Sequence, residues 1–485
     1  MSDQNNSVFE QRVASLRELL DQNDLDALIV SHDDEYLSYE LNEDEERLKY
    51  ITGFSGSAGY AVITSNDLKI NEENIEINQD NTENGIVVDR DCAVFVDGRY
   101  VVQVKEQIDS DIFQDFDLAK VKPAKWILSV MPKNSTVGID INCVSYKEYI
   151  SIKNELGMNN INLVATENNL VDKIWTDKPA SVISEISIFP DEYNGCPSPQ
   201  KRQLIAQTLR DKDLDATVIC DPESICWLLN IRGKDRAYLP VINCKMVAYS
   251  NEALEWYINP NHFKDENLQD QLQEHIGHID IFPEEAFDDV LDRLCSSSCT
   301  VYVDPETTNA HVMTKLYSGG AKVSEGLGLC QMPKACKNHI EVAGEYKAHI
   351  KDGIAMCRFI SWLDNLTALD KPTDSDETFL RRVEGVDEAE LAARALSFRK
   401  VEAGFIEPSF ATISALGPNA AMCHYNHENE ATPRALGKDC LYLIDSGAHF
   451  IEGTTDITRT ILVGPHITDE IKRMYTLVLK SHIAL

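Results

Sequence analysis

Leu20-Asp-Gln-Asn-Asp-Leu-Asp-Ala-Leu-Ile-Val30 decides the fold, because the chain writes it twice. Residues 209–219 read Leu209-Arg-Asp-Lys-Asp-Leu-Asp-Ala-Thr-Val-Ile219. In each copy an apolar helical pattern (Val13, Leu16, Leu19, Leu20; then Leu204, Ile205, Leu209) runs through a short polar turn into an apolar strand. The copies continue in the same order. Lys49-Tyr-Ile-Thr-Gly-Phe54 answers to Cys226-Trp-Leu-Leu-Asn-Ile-Arg-Gly233, and Thr136-Val-Gly-Ile-Asp140 answers to Thr300-Val-Tyr-Val-Asp304. Chance similarity explains any one of these matches, but not three in sequence. Helix–strand alternation of this kind predicts two related α/β domains, over 1–178 and 179–328.

Working outward, residues 66–90 are rich in Asn, Asp and Glu and read as an extended loop between two strands. A third region, 329–485, opens with a helical pattern from Lys337 to Leu363, carried by Ile340, Ala343, Ile350, Ile354, Phe359, Ile360 and Leu363. A second helix is expected over Asp387–Lys400. Short strands are expected around Ala411–Ser414 and Met422–Tyr425, separated by the turn Leu416-Gly-Pro-Asn419. A hairpin, Cys440–Phe450 with Thr454–Val463, reverses at Glu452-Gly453, and an amphipathic helix runs from Asp469 to Leu485.

Length and composition agree with this division. A chain of 485 residues suits about three domains of roughly 150 residues each. Its 43% apolar content is ample for packed cores. The 45 basic and 80 acidic residues leave a net charge of −35, which argues against nucleic acid or an anionic membrane as partner. The polar start, Met1-Ser-Asp-Gln-Asn-Asn-Ser7, does not read as a signal peptide, and no run approaches the roughly 18 apolar residues of a spanning helix. Thirteen cysteines without a CxxC pair fit reduced thiols and a cytoplasmic location. Cys295 and Cys299 are the nearest approach to a zinc pair, and their spacing is weak.

The chemistry concentrates in the hairpin, Leu443-Ile-Asp-Ser-Gly-Ala-His-Phe-Ile-Glu-Gly-Thr-Thr-Asp-Ile-Thr-Arg-Thr460. Asp445 and Asp456 adjoin apolar, β-prone runs, where an ionised carboxylate is costly unless it is paired, hydrogen-bonded or bound to a cation. Eleven residues apart on two joined strands, they can share a cation after a small register shift. Carboxylate oxygens favour Mn²⁺, Mg²⁺ or Co²⁺-type ions, and two such groups can bridge a pair of ions that activates a hydroxide. Either aspartate alone would more often end a strand or cap a turn. The pair, with its Thr-rich second strand, favours metal.

His424, in Met422-Cys-His-Tyr425, could bind a substrate carbonyl or shuttle a proton; a satisfied core histidine is the plainer alternative. His427 and His449 read as packing or surface residues. Gly53, Gly56 and Gly59 do not have GxGxxG spacing and lack a P-loop lysine, so they read as a tight turn.

Taken together the chain resembles the cytosolic three-domain aminopeptidase P group, the Xaa-Pro aminopeptidases among pita-bread metallopeptidases. The resemblance lies in Tyr50-Ile-Thr-Gly-Phe-Ser-Gly-Ser-Ala-Gly59, Val96-Asp-Gly-Arg-Tyr100, Trp227-Leu-Leu-Asn-Ile-Arg-Gly233, Lys337-Asn338 with Glu341, Ser409-Phe-Ala-Thr-Ile-Ser414, Gly417-Pro-Asn419, His424-Tyr425 and the hairpin. It implies α/β and α+β architecture: two creatinase-like N-terminal α/β domains followed by a pita-bread catalytic domain. It implies that Asp445 and Asp456 are two of five ligands of a dinuclear site, commonly Mn²⁺, with other divalent ions possible. It also implies that His424 is a substrate-binding, catalytic histidine, that the substrates are proline-containing peptides, and that a homodimer can form.

The resemblance places the other ligands, one histidine and two glutamates, after the helix bearing Lys480-Ser-His482-Ile-Ala484, and the sequence stops at Leu485. The expectation is therefore a C-terminally truncated member with an incomplete pita-bread sheet, no peptidase activity of its own and exposed apolar surface. A non-catalytic pita-bread binding module is an alternative, but such a module has no need of buried charge at Asp445 and Asp456. A hydrolase of a non-peptide amide is another, less favoured by the tandem N-terminal domains.

Overall fold

Two helix–turn–strand units head the two halves of the longer of two compact units, Met1–Asn338 and His339–Leu485. The computed structural model describes residues 2–66, 86–264, 267–297, 299–368, 376–430, 432–464 and 466–485. Most of the expected loop over 66–90 lies outside the described residues.

In the longer unit, α1 (Ser2–Gln22) feeds β1 (Ala27–Ser31), followed by α2 (Arg47–Thr52), β2 (Gly59–Thr64), β3 (Cys92–Val96), β4 (Phe113–Asp117), β5 (Thr136–Ile139) and β6 (Asn162–Ala165). The strands form one sheet in the order β4-β3-β2-β1-β5-β6. The second half repeats it: α3 (Ser198–Asp211), β7 (Ala216–Ile219), β8 (Cys244–Tyr249), β9 (Leu254–Ile258), β10 (Asp280–Phe282), β11 (Thr300–Val303) and β12 (Lys322–Glu325), ordered β10-β9-β8-β7-β11-β12. Directions match strand for strand. β1 is antiparallel to β2 and parallel to β5, as β7 is antiparallel to β8 and parallel to β11.

The repeated residues explain the repeated geometry. Asp24 and Asp213 both take the left-handed conformation that turns helix into strand, with φ of 54° and 56°. Two residues on, Asp26 accepts the Thr136 amide at 2.7 Å and Asp215 accepts the Thr300 amide at 2.8 Å, tying each first strand to its parallel neighbour. Gly53 and Asn230 end the corresponding helices, again left-handed. All five residues of β1 and all four of β7 are buried, as sheets covered on both faces require. Leu204 departs from the expected apolar face and is exposed, while Ile205 and Leu209 are buried.

Gly53, Gly56 and Gly59 form the tight turn between α2 and β2. A Cβ at Gly56 would meet the Phe54 ring at 2.2 Å, so packing against Phe54 and Tyr100 explains this glycine without any phosphate.

A seam of charge joins the two halves of this unit. Arg236, 2% exposed, binds Asp34 and reaches Glu45 at 2.8 and 3.2 Å, and Asp34 also accepts the Tyr36 and Ser38 amides. Lys245 lies buried between Glu35 and Glu284, and Tyr36 donates to Glu284. Burial works against the Lys245 charge, and the two glutamates outweigh it, so its ammonium is held above the usual lysine range.

The shorter unit opens with α4 (His339–Thr367), then α5 (Glu388–Arg399), β13 (Ile413–Leu416), β14 (Cys440–Ser446), β15 (Ile457–Val463) and α6 (Asp469–Ala484). Asp387 caps α5 by accepting the Glu390 amide at 2.9 Å. β13, β14 and β15 form an antiparallel sheet in that order, and Phe359, Leu363, Leu391, Leu416, Tyr442 and Ile444 build its core with α4 and α5.

Two expectations need correction here. On α4 the exposed face carries Ile350 and Ile354, while Ala348, Asp352, Ala355, Met356 and Phe359 turn inward. The reason is polar: Asp352 takes an inward position to pair with Arg399. Met422–Tyr425 is a turn and not a strand, because Tyr425 leaves any ladder to reach a buried glutamate. α6 has no buried residue, and Met474, Leu477, Val478 and Ile483 are exposed on it.

Candidate metal centre

The two aspartates owe their meeting to strand register. β14 and β15 pair with Asp445 opposite Thr458 and Ser446 opposite Ile457. Asp456 therefore stands two residues from the position facing Asp445, a diagonal neighbour on the same face of the sheet. The expected register shift is unnecessary, since diagonal neighbours are already within reach of each other.

Asp445 is half-buried and accepts from the Thr458 hydroxyl at 2.7 Å. Asp456 is exposed, yet its carboxyl is held above the ordinary carboxylate range by partial burial, by the negative charge of Asp445 and by a hydrogen bond between the two carboxyls. Among the described residues neither aspartate forms a salt bridge with a basic side chain. Two hard oxygen donors pressed together without a basic partner have the chemistry that suits a divalent cation. The donor set is small: no group of three or more His, Cys, Asp and Glu side chains gathers among the described residues.

Sequence reasoning did not anticipate what lies beneath the pair. Asp352 on α4 is fully buried and Arg399, the last residue of α5, is 2% exposed. Arg399 grips Asp352 with Nε to Oδ1 at 2.6 Å and Nη2 to Oδ2 at 3.2 Å, and its Nη2 donates to the Ser446 carbonyl at 3.3 Å. The Thr455 hydroxyl donates to Asp352 Oδ2 at 2.6 Å. An acidic residue on the apolar stripe of a helix, as Asp352 is among Ala348, Ala355 and Phe359, was the available signal.

His424 occupies the turn that follows 417–421, half-buried. Its neighbour Tyr425 donates to Glu388 Oε2 at 2.7 Å. Glu388, fully buried, also accepts the Leu416 amide at 2.6 Å, the Arg434 amide at 2.9 Å and the Asn419 side chain at 3.0 Å. Partial burial and the Glu388 carboxylate push the Tyr425 hydroxyl above the usual tyrosine range. This clamp fixes the His424 turn at the Leu416 end of β13, whereas Ile413 at its other end faces Asp445. The structure thus brings Asp445 and Asp456 together and ties the turn that carries His424 to Glu388. His427 is buried, and the His449 ring meets the Thr454 hydroxyl at 2.9 Å.

Comparison with known proteins places this geometry. The family model of the Creatinase/Prolidase N-terminal domain matches residues 12–79 and, in a second form, 177–341, while that of Metallopeptidase family M24 matches 343–485. The chain is 30% identical to the Xaa-Pro aminopeptidase ApepP of Drosophila melanogaster, an alignment covering 98% of this chain and 72% of that protein. The chain belongs to the Xaa-Pro aminopeptidase family. Aminopeptidase P1 of Arabidopsis thaliana is 28% identical over 98% of this chain and 74% of its own length. An X-prolyl aminopeptidase from Caenorhabditis elegans, described as a cytosolic enzyme with a di-nuclear active site, superposes with a TM-score of 0.84 at 26% identity, covering 98% of this chain and 73% of that one.

The fold is accordingly that of two creatinase-type N-terminal domains followed by a pita-bread metallopeptidase domain, in a family that uses divalent metal. The matches run over 98% of this chain and lend no support to the expectation of a truncated form. Among the described residues no helix is long and apolar enough to cross a membrane.

Proposed function

We propose that Asp445 and Asp456 belong to a metalloaminopeptidase site that removes an N-terminal residue preceding proline. The observation that carries this reading is the carboxylate pair itself, two acidic side chains on one face of adjoining strands, with the charge of Asp445 holding the Asp456 carboxyl above the ordinary carboxylate range. Mn²⁺ is the ion we assign, with Mg²⁺ or Co²⁺ as chemically similar occupants. In that role the ion would polarise the scissile carbonyl and lower the pKa of bound water. His424, on a turn fixed by Glu388, would bind the substrate beside the scissile bond. Proline-containing peptides are the substrates, supported by the Xaa-Pro aminopeptidase relatives, and the cytoplasm the location, supported by the cytosolic neighbour; a homodimer is the assembly we assign. The domain division proposed is 1–178, 179–328 and 329–485, in keeping with the two matching sheets and the separate hairpin.

Manganese binding tests the assignment directly. Quenching of the free-ion paramagnetic resonance signal is expected with the intact chain and lost in Asp445→Asn and in Asp456→Asn. Equal binding by both variants would overturn it. Manganese-dependent release of the first residue of an X-Pro peptide is expected from the intact chain and lost in Asp445→Asn. Release unchanged in Asp445→Asn would overturn the metal reading.

A further inference from the structure

We propose that Thr455, seated on the buried Asp352–Arg399 pair, is a positioning residue that sets the separation of the Asp445 and Asp456 carboxylates. The inference rests on the metal reading given above and deepens it. Ser446 follows Asp445 in the chain and Thr455 precedes Asp456. One ion pair holds both neighbours: Arg399 through the Ser446 carbonyl at 3.3 Å, Asp352 through the Thr455 hydroxyl at 2.6 Å. The same hydroxyl accepts the Ala448 amide at 3.0 Å, and the Thr455 amide donates to the Ala448 carbonyl at 2.9 Å. Ser409 closes the arrangement by donating its hydroxyl to the Thr455 carbonyl at 2.8 Å.

The two segments cross at van der Waals contact. A Cβ on Gly447 would fall 2.0 Å from the Thr455 carbonyl oxygen, so only glycine permits the crossing. Asp445 lies two residues before Gly447 and Asp456 one residue after Thr455. Their spacing is therefore set where Thr455 bonds, and not by the β14–β15 ladder alone, because Asp456 precedes the first paired residue, Ile457.

The energetics favour a geometric role over a stabilising one. A buried Arg–Asp pair recovers little more than its own desolvation, and apolar side chains of similar volume would pack as stably. What apolar packing cannot supply is a fixed angle. The two-pronged Arg399–Asp352 contact, together with two backbone segments hung from it, supplies that angle. The remaining oxygens of a metal-binding carboxylate are ordinarily oriented by such partners.

The test is Mn²⁺ titration followed by paramagnetic resonance, with folding monitored by near-UV circular dichroism. Thr455→Val keeps the branched shape and removes the hydroxyl. It is expected to weaken Mn²⁺ binding by about tenfold to a hundredfold, the usual effect of removing a group that orients a metal ligand, while Thr455→Ser restores it. Ser409→Ala frees the Thr455 carbonyl without touching the ion pair and is expected to weaken binding less, in the same direction. It serves as the deciding arm if Thr455→Val fails to fold. Wild-type binding in Thr455→Val, or in Ser409→Ala when that arm decides, would overturn the proposal so long as Asp445→Asn abolishes binding. If Asp445→Asn binds normally, or the intact chain binds nothing, the metal reading falls instead.

Discussion

Glu388 shows how a single buried carboxylate can organise the turn that carries His424. Its two oxygens accept from the Leu416 and Arg434 amides, the Asn419 amide group and the Tyr425 hydroxyl, so its charge is met by hydrogen bonds with no basic side chain among these partners. Glu388→Ala would leave those donors buried and unsatisfied, at about 1–3 kcal/mol for each group that water does not reach. We expect a loss of at least about 3 kcal/mol in urea unfolding of the 339–485 unit, against about 1 kcal/mol for Tyr425→Phe. A Glu388→Ala variant as stable as wild type would refute the clamp. Little of this was legible in the sequence. A glutamate in the first turn of a helix ordinarily reads as an exposed partner of the helix dipole, and only the tertiary fold shows that Glu388 points inward. Asp445 and Asp456 were legible for the opposite reason, since acidic residues interrupt apolar strand runs and their partner strand follows at once.

At the scale of elements, the internal repeat carries the argument. Six strands in the same order and directions arise twice because the same short signals recur: a left-handed Asp, an Asp two residues later, then an apolar strand. Asp26→Ala and Asp215→Ala each remove the acceptor of one strand amide, Thr136 or Thr300. Each is expected to cost about 1–2 kcal/mol, measured as a shift in urea midpoint of the 1–338 unit, and the two losses should agree within a factor of about two. A large effect at one and none at the other would mean that the halves do not share a folding device. The repeated unit was readable here because helix–turn–strand punctuation is local. The Met422–Tyr425 strand failed because its short apolar run satisfied the strand pattern while a distant carboxylate claimed the Tyr425 hydroxyl. Ile350 and Ile354 failed similarly: spacing located the helix but not which of its faces turns inward.

For the molecule, the seam inside the 1–338 unit is the clearest long-range device. Arg236 is closed in by Asp34 and Glu45, and Asp34 is itself 1% exposed. Arg236→Ala leaves that carboxylate buried without its partner, at about 3–5 kcal/mol. We expect the single urea transition of this unit to split, with hydrogen exchange in the strands of 27–165 separating from that in 216–325. A loss under about 1 kcal/mol, with exchange still concerted, would count against the seam. Nothing in the sequence announced these pairs, since each joins residues about 190 to 210 positions apart.

Lys245 gives that seam a chemical signature. An amine whose pKa is raised and whose surroundings are closed offers acylating reagents neither a free lone pair nor a path of approach. Its labelling rate therefore reports how often the halves part, and a footprint of this one lysine would read breathing motions that no spectroscopic average over 485 residues resolves.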